Sequence, residues 1–389
     1  MIENGGSPKK LRFEPALFSD EAAAVLRSIV RKSEYEWVIR LPRPGGTSWL
    51  REPICLTNFL RGGLNCWRSS PLASFYKKLL QRLKGRAPVA LFDLFFLNED
   101  VLRQRLDGIA DANALRVLQN ATIIFLTADR VRAMVRCYPL RGRYFLSDPA
   151  RKDKDFVYFG RDSHFMVDIA AQYCAGRHFA RTLDLCTGSG VQGISLSSSS
   201  DEVLCADINP RALAFVAANA RLNKVRNVRA VHSDLFSATP GRFDCILANT
   251  PYVPEPSGYL PIRGGDLGME FTLRLLAELP DKMTDKGIAV IYTSDPIVRG
   301  EYQLLRHVRE QLGNRGMRVV QIPLFRNAYP RTKLIREHYA RLDLTGYDDC
   351  ILVIERAARY EAARRPWDWM FYNRTRLVAR VDLWRHPSR

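Results

Sequence analysis

A glycine-rich turn and three aspartates carry the first chemistry in this 389-residue sequence. Leu183-Asp184-Leu185-Cys186-Thr187-Gly188-Ser189-Gly190-Val191-Gln192-Gly193 has the pattern of an apolar strand, a turn and the start of a helix. Glycine in such a turn permits φ > 0 and lets a ligand approach the backbone with no Cβ in the way. Asp207, 19 residues after Gly188 and followed by Ile208, closes the next apolar run, where a carboxylate can accept both ribose hydroxyls of an adenosine. Asp234 comes directly after a third run. It is suited to accept from an adenine N6 amino group while Leu235 covers the ring, and capping a helix is its alternative role.

Gly188-x-Gly190-x-x-Gly193 matches the dinucleotide fingerprint literally, so a nicotinamide or flavin enzyme has to be considered. Asp184 argues against it. An acidic residue inside the first strand, four positions before the glycine, is poorly placed beside a pyrophosphate. A cation such as the sulfonium and α-ammonium of S-adenosyl-L-methionine has the opposite need. On that reading Asp184, Thr187, Gly188, Gly190, Asp207, Ile208, Asp234 and Leu235 form a cofactor-binding set, and the three aspartates sit at the carboxyl ends of strands one to three, where open α/β sheets bind ligands.

These residues need a parallel sheet to bring them together, and the chain supplies its pattern from about Phe156 onward. Short apolar runs at 181–186, 203–207, 228–233, 243–248, 288–293, 317–323 and 350–356 predict seven strands, beginning after a helix near 162–175. Helices are predicted at 210–222, opened by Pro210, at 268–280, and at 300–313. Alternation of this kind gives a Rossmann-like α/β fold.

The fourth strand ends in Ala248-Asn249-Thr250-Pro251-Tyr252, and here the chain resembles class I S-adenosylmethionine-dependent methyltransferases with an Asn-Pro-Pro-Tyr motif. These include the HemK/PrmC-like protein glutamine N5-methyltransferases, adenine N6 DNA methyltransferases and rRNA guanine N2 methyltransferases. The resemblance covers about residues 156–356. Gly264-Gly265-Asp266-Leu267-Gly268 followed by Phe271-Thr272-Leu273-Arg274-Leu275-Leu276 is similar to the Gly-Gly-x-Asp-Gly-Leu segment of the HemK/PrmC group, and Arg161-Asp162-Ser163 to its Arg-x-Asp-Thr element.

The resemblance implies roles for the motif. The Asn249 side-chain oxygen and the backbone carbonyl of Thr250 would accept the two N–H groups of a planar amide or amine, aiming its lone pair at the methyl group. Tyr252 would stack on the substrate or face the sulfonium, and Pro251 stiffens the turn. Asn249 thus belongs to both the catalytic and the cofactor-binding sets. Thr250 departs from the family, whose second residue is proline. It keeps the carbonyl but is freer in φ, which points to a different substrate.

The first 150 residues follow another pattern. Helices are expected at 20–32, 72–84, 99–107 and 111–119, then strands at 130–137 and 142–147, an α+β module with a winged-helix-like order. Segment 40–70, rich in Gly, Pro, Arg and Trp without periodicity, is expected to be loop. The tail 357–389 holds eight basic and three acidic residues among six aromatics, which either stack bases or anchor the tail. The expected domains are therefore 1–150, an accessory or substrate-recognition module; 151–356, the methyltransferase domain; and 357–389, a basic extension.

Charge bears on the partner. The chain has 59 Lys and Arg against 41 Asp and Glu. Residues 1–150 carry 24 basic and 14 acidic side chains, 151–300 carry 17 and 17, and 301–389 carry 18 and 10. Basic flanks around a neutral middle suit RNA, or are simply a solvated surface. The longest apolar stretch, 89–97, is nine residues and contains Asp93, far short of a membrane span. The polar N-terminus lacks a signal-peptide core, and eight cysteines show no C-x-x-C pair or zinc spacing. A cytoplasmic enzyme without metal or membrane is expected. Four thiols, Cys186, Cys205, Cys245 and Cys350, should lie in central strands.

The function expected is S-adenosylmethionine-dependent methylation of a planar amide or amine nitrogen in a peptide, amino-acid-like or specialised-metabolite substrate. An RNA base amino group (rRNA or tRNA) is the second possibility. A non-catalytic, cofactor-sensing RNA-binding protein is the third, which salt-dependent RNA binding without methyl transfer would distinguish.

Overall fold

A computed structural model describes residues 12–36, 77–78, 81–149, 154–254, 264–327, 333–359 and 361–364. In chain order its elements are α1 (Asp20–Lys32), α2 (Arg86–Leu91), β1 (Val101–Leu102), α3 (Ala112–Asn120), β2 (Ile124–Leu126), β3 (Arg130–Ala133), β4 (Arg136–Leu140), β5 (Arg143–Ser147), α4 (Arg161–Tyr173), β6 (Phe179–Leu185), α5 (Val191–Leu196), β7 (Ser200–Asp207), α6 (Pro210–Leu222), β8 (Val228–His232), β9 (Phe243–Asn249), α7 (Glu270–Lys282), β10 (Met283–Val298), β11 (Glu301–Tyr302), α8 (Leu304–Leu312), β12 (Met317–Asn327), α9 (Lys333–Arg341), β13 (Leu344–Arg356) and β14 (Glu361–Arg364). All seven strands expected from the apolar runs are present, with the small β11 and β14 in addition.

Local sequence explains where several helices start. The Ser19 hydroxyl accepts from the Ala22 amide at 3.1 Å to cap α1, whose first turn is acidic and last turn basic, as the helix dipole favours. Asp111 caps α3 through the Ala114 amide at 2.7 Å. Asn209 accepts from the Arg211 amide at 3.0 Å, and Pro210 follows as the first residue of α6.

One expected helix is absent. Residues 99–107 form β1 and then a single 3₁₀ turn, Arg103–Leu106, because Val101 and Leu102 pair with Val131 and Arg130 of β3 and the Arg103 amide bonds to Asp129 O at 2.7 Å. Strand pairing outcompetes helix propensity there. The expected strand 130–137 is split: β3 pairs with β1 and β2, whereas β4 pairs with β5. Arg141 and Gly142, both at positive φ (48° and 77°), make the two-residue turn of that hairpin. Segment 40–70, most of 72–84 and the tail beyond 364 lie outside the described residues.

The chain divides into two compact units. The first comprises Met1–Phe165, Thr187–Ser198 and Glu202–Asp234. Within it β7 and β8 run parallel, and the α+β elements pack with α6. Asn219 on α6 and Asn223, the residue that caps its C-terminus one turn later, bond to β5 as a neighbouring strand would. Asn219 accepts from the Leu146 amide (2.7 Å) and donates to its carbonyl (3.0 Å), and Asn223 does the same for Tyr144 (3.0 and 2.7 Å). The buried Arg211–Asp148 pair, with Nε–Oδ2 at 3.0 Å, reinforces the same packing, and the rings of Tyr138 and Phe159 stack at 4.4 Å.

The second unit comprises Met166–Cys186, Ser199–Asp201 and Leu235–Arg389. Here β6, β9 and β10 run parallel, β13 lies antiparallel between β10 and β12, and β14 flanks β12. Leu183, Ile246, Val290 and Leu352 are buried in this sheet. The late strand β13 returns antiparallel into a sheet of parallel neighbours, and this makes the fold a Rossmann-like α/β of the class expected. Cys205, Cys245 and Cys350 are buried in strands; Cys186 instead sits one residue past β6, half-buried at φ 52°. A turn, not a strand position, is its place.

Candidate active site

In the first unit the glycine turn is built around Asp207. The Thr187 amide bonds to Ala206 O (3.1 Å), and the Gly188 amide donates to Asp207 Oδ2 at 2.9 Å. The Asn209 amide donates to Asp207 Oδ1, also at 2.9 Å. Burial pushes the Asp207 carboxyl above its ordinary value, against the pull of these backbone donors. Each carboxylate oxygen retains acceptor capacity for a further donor. In register, Asp207 faces His232 of β8, and Asp234 follows two residues later, exposed at the same strand ends. No helix begins at Asp234, which removes the capping alternative.

Two glycines here have positive φ, with different surroundings. A Cβ on Gly190 (φ 78°) would lie 3.1 Å from both Ile194 Cδ1 and Val216 Cγ2, so this glycine serves packing against α6. At Gly188 (φ 54°) the added atom would meet only Tyr158 O, at 3.9 Å. Space is therefore left above Gly188. Beside it Ile208, directly after a buried strand, exposes 56% of its surface. Open backbone, a carboxylate and an uncovered aliphatic face fit an adenosine-type cofactor.

In the second unit the register Leu185↔Ala248 puts the exits of β6 and β9 side by side. Cys186, entering the glycine turn, and Asn249 thus leave adjacent strands at one rim. Asp184, aligned with Leu247, is fully buried one step inside, and Leu235 is buried at φ 48°. Asn249 is half-buried and aligned with Tyr292 of β10.

The reaction turn is fastened from below. Thr250 directs its amide (3.2 Å) and its hydroxyl (2.8 Å) to one acceptor, the Tyr292 carbonyl. Tyr252 lies half-exposed with its ring 5.0 Å from that of buried Tyr292, tilted by 50°. The Tyr292 hydroxyl donates to Asp349 Oδ2 at 2.9 Å. From the other side, the Gly264 amide bonds to Val253 O (3.0 Å), and a Cβ on Gly268 would lie 2.5 Å from Tyr252 O. Glu270 ties this segment to α7, accepting from the amides of Leu267 (2.8 Å) and Met269 (3.1 Å).

Tyr292, Thr272, Thr293 and Asp349 were not singled out by sequence reasoning. Thr272 offered a signal, a hydroxyl among the leucines of α7, whereas Tyr292 sits in an apolar strand run without one. Among the described residues there is no group of three or more His, Cys, Asp or Glu that could hold a metal, and no helix long and apolar enough to cross a membrane.

Known proteins match the chain in this region. The family "Methyltransferase small domain" matches residues 163–257. The ribosomal protein uL3 glutamine methyltransferase of Xanthomonas campestris is 34% identical over 132 residues, 30% of this chain and 43% of that protein. The release factor glutamine methyltransferase of Bordetella pertussis is 33% identical over 149 residues, 37% of this chain and 54% of that protein. A Methanocaldococcus jannaschii protein assigned by name to the protein N5-glutamine methyltransferases is 32% identical over 135 residues, 33% of this chain and 67% of that protein. The chain thus spans about half the length of the first two relatives. The cofactor the chain uses is S-adenosyl-L-methionine, and the chain belongs to the methyltransferase small-domain family, in its HemK/PrmC-like, NPPY-related branch.

Proposed function

We propose that the protein is an S-adenosylmethionine-dependent N-methyltransferase acting on the side-chain amide of glutamine in a protein or peptide. The observation that carries this reading is the placement of Asn249 at the end of β9, next to the exit of β6 into the glycine turn. The named relatives, which act on glutamine of uL3 or of release factors, support the amide as acceptor.

The residue roles follow from chemistry. Thr187, Gly188 and Gly190 shape the cofactor turn; Asp207 accepts from ribose hydroxyls and Ile208 covers one face of the base. Asp234 accepts from the adenine amino group, with Leu235 beside it, and Asp184 offers negative charge toward the cationic end. When bound, the cofactor supplies an electrophilic methyl group whose bond to sulfur breaks with the electron pair returning to sulfur. Asn249 Oδ1 and the Thr250 carbonyl accept the two N–H groups of the amide, which turns its lone pair toward the methyl group. The nitrogen forms the new N–C bond and then releases a proton to water, so no strong base is required beforehand. Pro251 keeps the turn stiff and Tyr252 supplies a flat wall for the amide.

On this reading residues 1–150 serve substrate recognition or support, 151–356 carry out methyl transfer and 357–389 form an extension. A cytoplasmic setting suits the six described cysteines, none of which is in a disulfide. The test is incubation of the purified protein with methyl-labelled S-adenosylmethionine and separated protein, RNA and metabolite fractions, followed by mass spectrometry. Label on glutamine in the protein fraction is the expected result. Label on an RNA base amino group, for which the basic flanks would account, would replace the amide reading.

A further inference from the structure

The departure from proline at position 250 has a structural counterpart. Thr250 Oγ1 lies 3.0 Å from Thr272 Oγ1 of α7, which lies 2.6 Å from Thr293 Oγ1 of β10, and all three side chains are buried. The direction of this chain is set by its end. Tyr292 O can only accept, so the Thr250 hydroxyl donates to it, Thr272 donates to Thr250, and Thr293 donates to Thr272. Consecutive hydroxyls aligned in this way strengthen one another in a dry environment. A proline has neither N–H nor O–H and could enter none of these bonds.

We infer that the Thr250 hydroxyl is a positioning group: the Thr293–Thr272–Thr250 relay fastens the reaction turn to the Tyr292 carbonyl and does here what a second proline ring does in the family motif. Stiffness comes from hydrogen bonds instead of a ring. One carbonyl, Tyr292 O, takes both donors of Thr250, while the Tyr292 ring adjoins Tyr252. The two residues flanking Pro251 are therefore indexed to a single strand residue. The inference rests on the methyl-transfer reading only for its kinetic consequence.

The test compares Thr250→Val, nearly isosteric without the hydroxyl, and Thr250→Ser, which retains it. Two readouts are taken on the full chain: amide hydrogen exchange in peptides covering 248–254, and methyl-transfer kinetics with calorimetric titration of S-adenosylmethionine. Val is expected to accelerate exchange in that segment by about tenfold or more, since opening no longer breaks the relay. It should lower kcat by about tenfold, with cofactor affinity changed less than about twofold. Ser should recover most of both losses. Unchanged exchange in the Val variant overturns the relay whatever the activity, and so does equal behaviour of Val and Ser. If exchange responds as expected but the unmodified protein transfers no methyl group to any fraction, the functional reading fails and the relay stands.

Discussion

The Gly188 amide donates to Asp207 Oδ2 at 2.9 Å, so the carboxylate that ends β7 also sets the glycine turn. Asp207→Asn keeps the shape but puts a donor or a neutral oxygen opposite that amide. Cofactor affinity should fall by roughly 1.5–3 kcal/mol, the scale of a charge-assisted hydrogen bond. Calorimetric titration gives the answer, and an Asn variant that binds normally would remove Asp207 from the ribose site.

The same carboxyl gives a pH dependence with a definite sign. Burial, the largest influence, raises its pKa above the ordinary 3.8. Affinity should therefore fall on acidification with a midpoint above that value, because the protonated form loses acceptor strength. For the free protein the sign is opposite: the folded state holds this proton more tightly than the unfolded chain. Its contribution to stability declines as pH rises from 3.8 toward the raised value. Titrations and melting curves over this range, with Asp207→Asn as reference, separate the two effects.

Asn249→Ala should leave S-adenosylmethionine binding nearly intact and lower turnover by about two orders of magnitude, as loss of a preorganised acceptor does. Single-turnover kinetics at saturating cofactor measure this. Ordinary turnover in the variant would exclude Asn249 from the mechanism.

The two turn glycines should separate binding from stability. Gly190→Ala meets both an unfavourable φ and contacts at 3.1 Å, and should cost about 1–3 kcal/mol of unfolding free energy. Gly188→Ala carries the backbone strain alone, yet projects a methyl into the open space proposed for the cofactor. Its larger effect should appear in affinity. Equal melting losses with equal affinities would contradict the assignment of that space.

Asn219→Leu removes both hydrogen bonds to Leu146 and the 2.8 Å bond to Ser189 O in the glycine turn. Leaving these buried groups without partners should cost about 2–4 kcal/mol. Asn219→Asp keeps the acceptor for the Leu146 amide but turns an oxygen toward the Leu146 and Ser189 carbonyls in a buried site, and should cost at least as much. Denaturant melts report the order, and a Leu variant as stable as the parent would show that water replaces the amide.

Much of this architecture was legible from periodicity. The seven strands have short apolar runs with turn residues at their ends, and α6 begins at Pro210 as expected from that proline. The segment 99–107 was not legible, because its fate depends on a partner strand about 30 residues away. At the site, the glycines and carboxylates announce themselves by type. Tyr292 does not: its carbonyl does the fastening, and any residue has one. Asn219 was hidden similarly, as a polar residue in an Ala-rich helix whose partner, β5, is distant in sequence.

The asparagine pair at the C-terminal end of α6 has one more result. A hairpin strand normally leaves alternate amides and carbonyls facing outward, ready to recruit another chain. Tyr144 and Leu146 have handed theirs to Asn223 and Asn219. That margin of β5 is closed to edge-to-edge association, so self-assembly by strand addition would have to start elsewhere on the molecule.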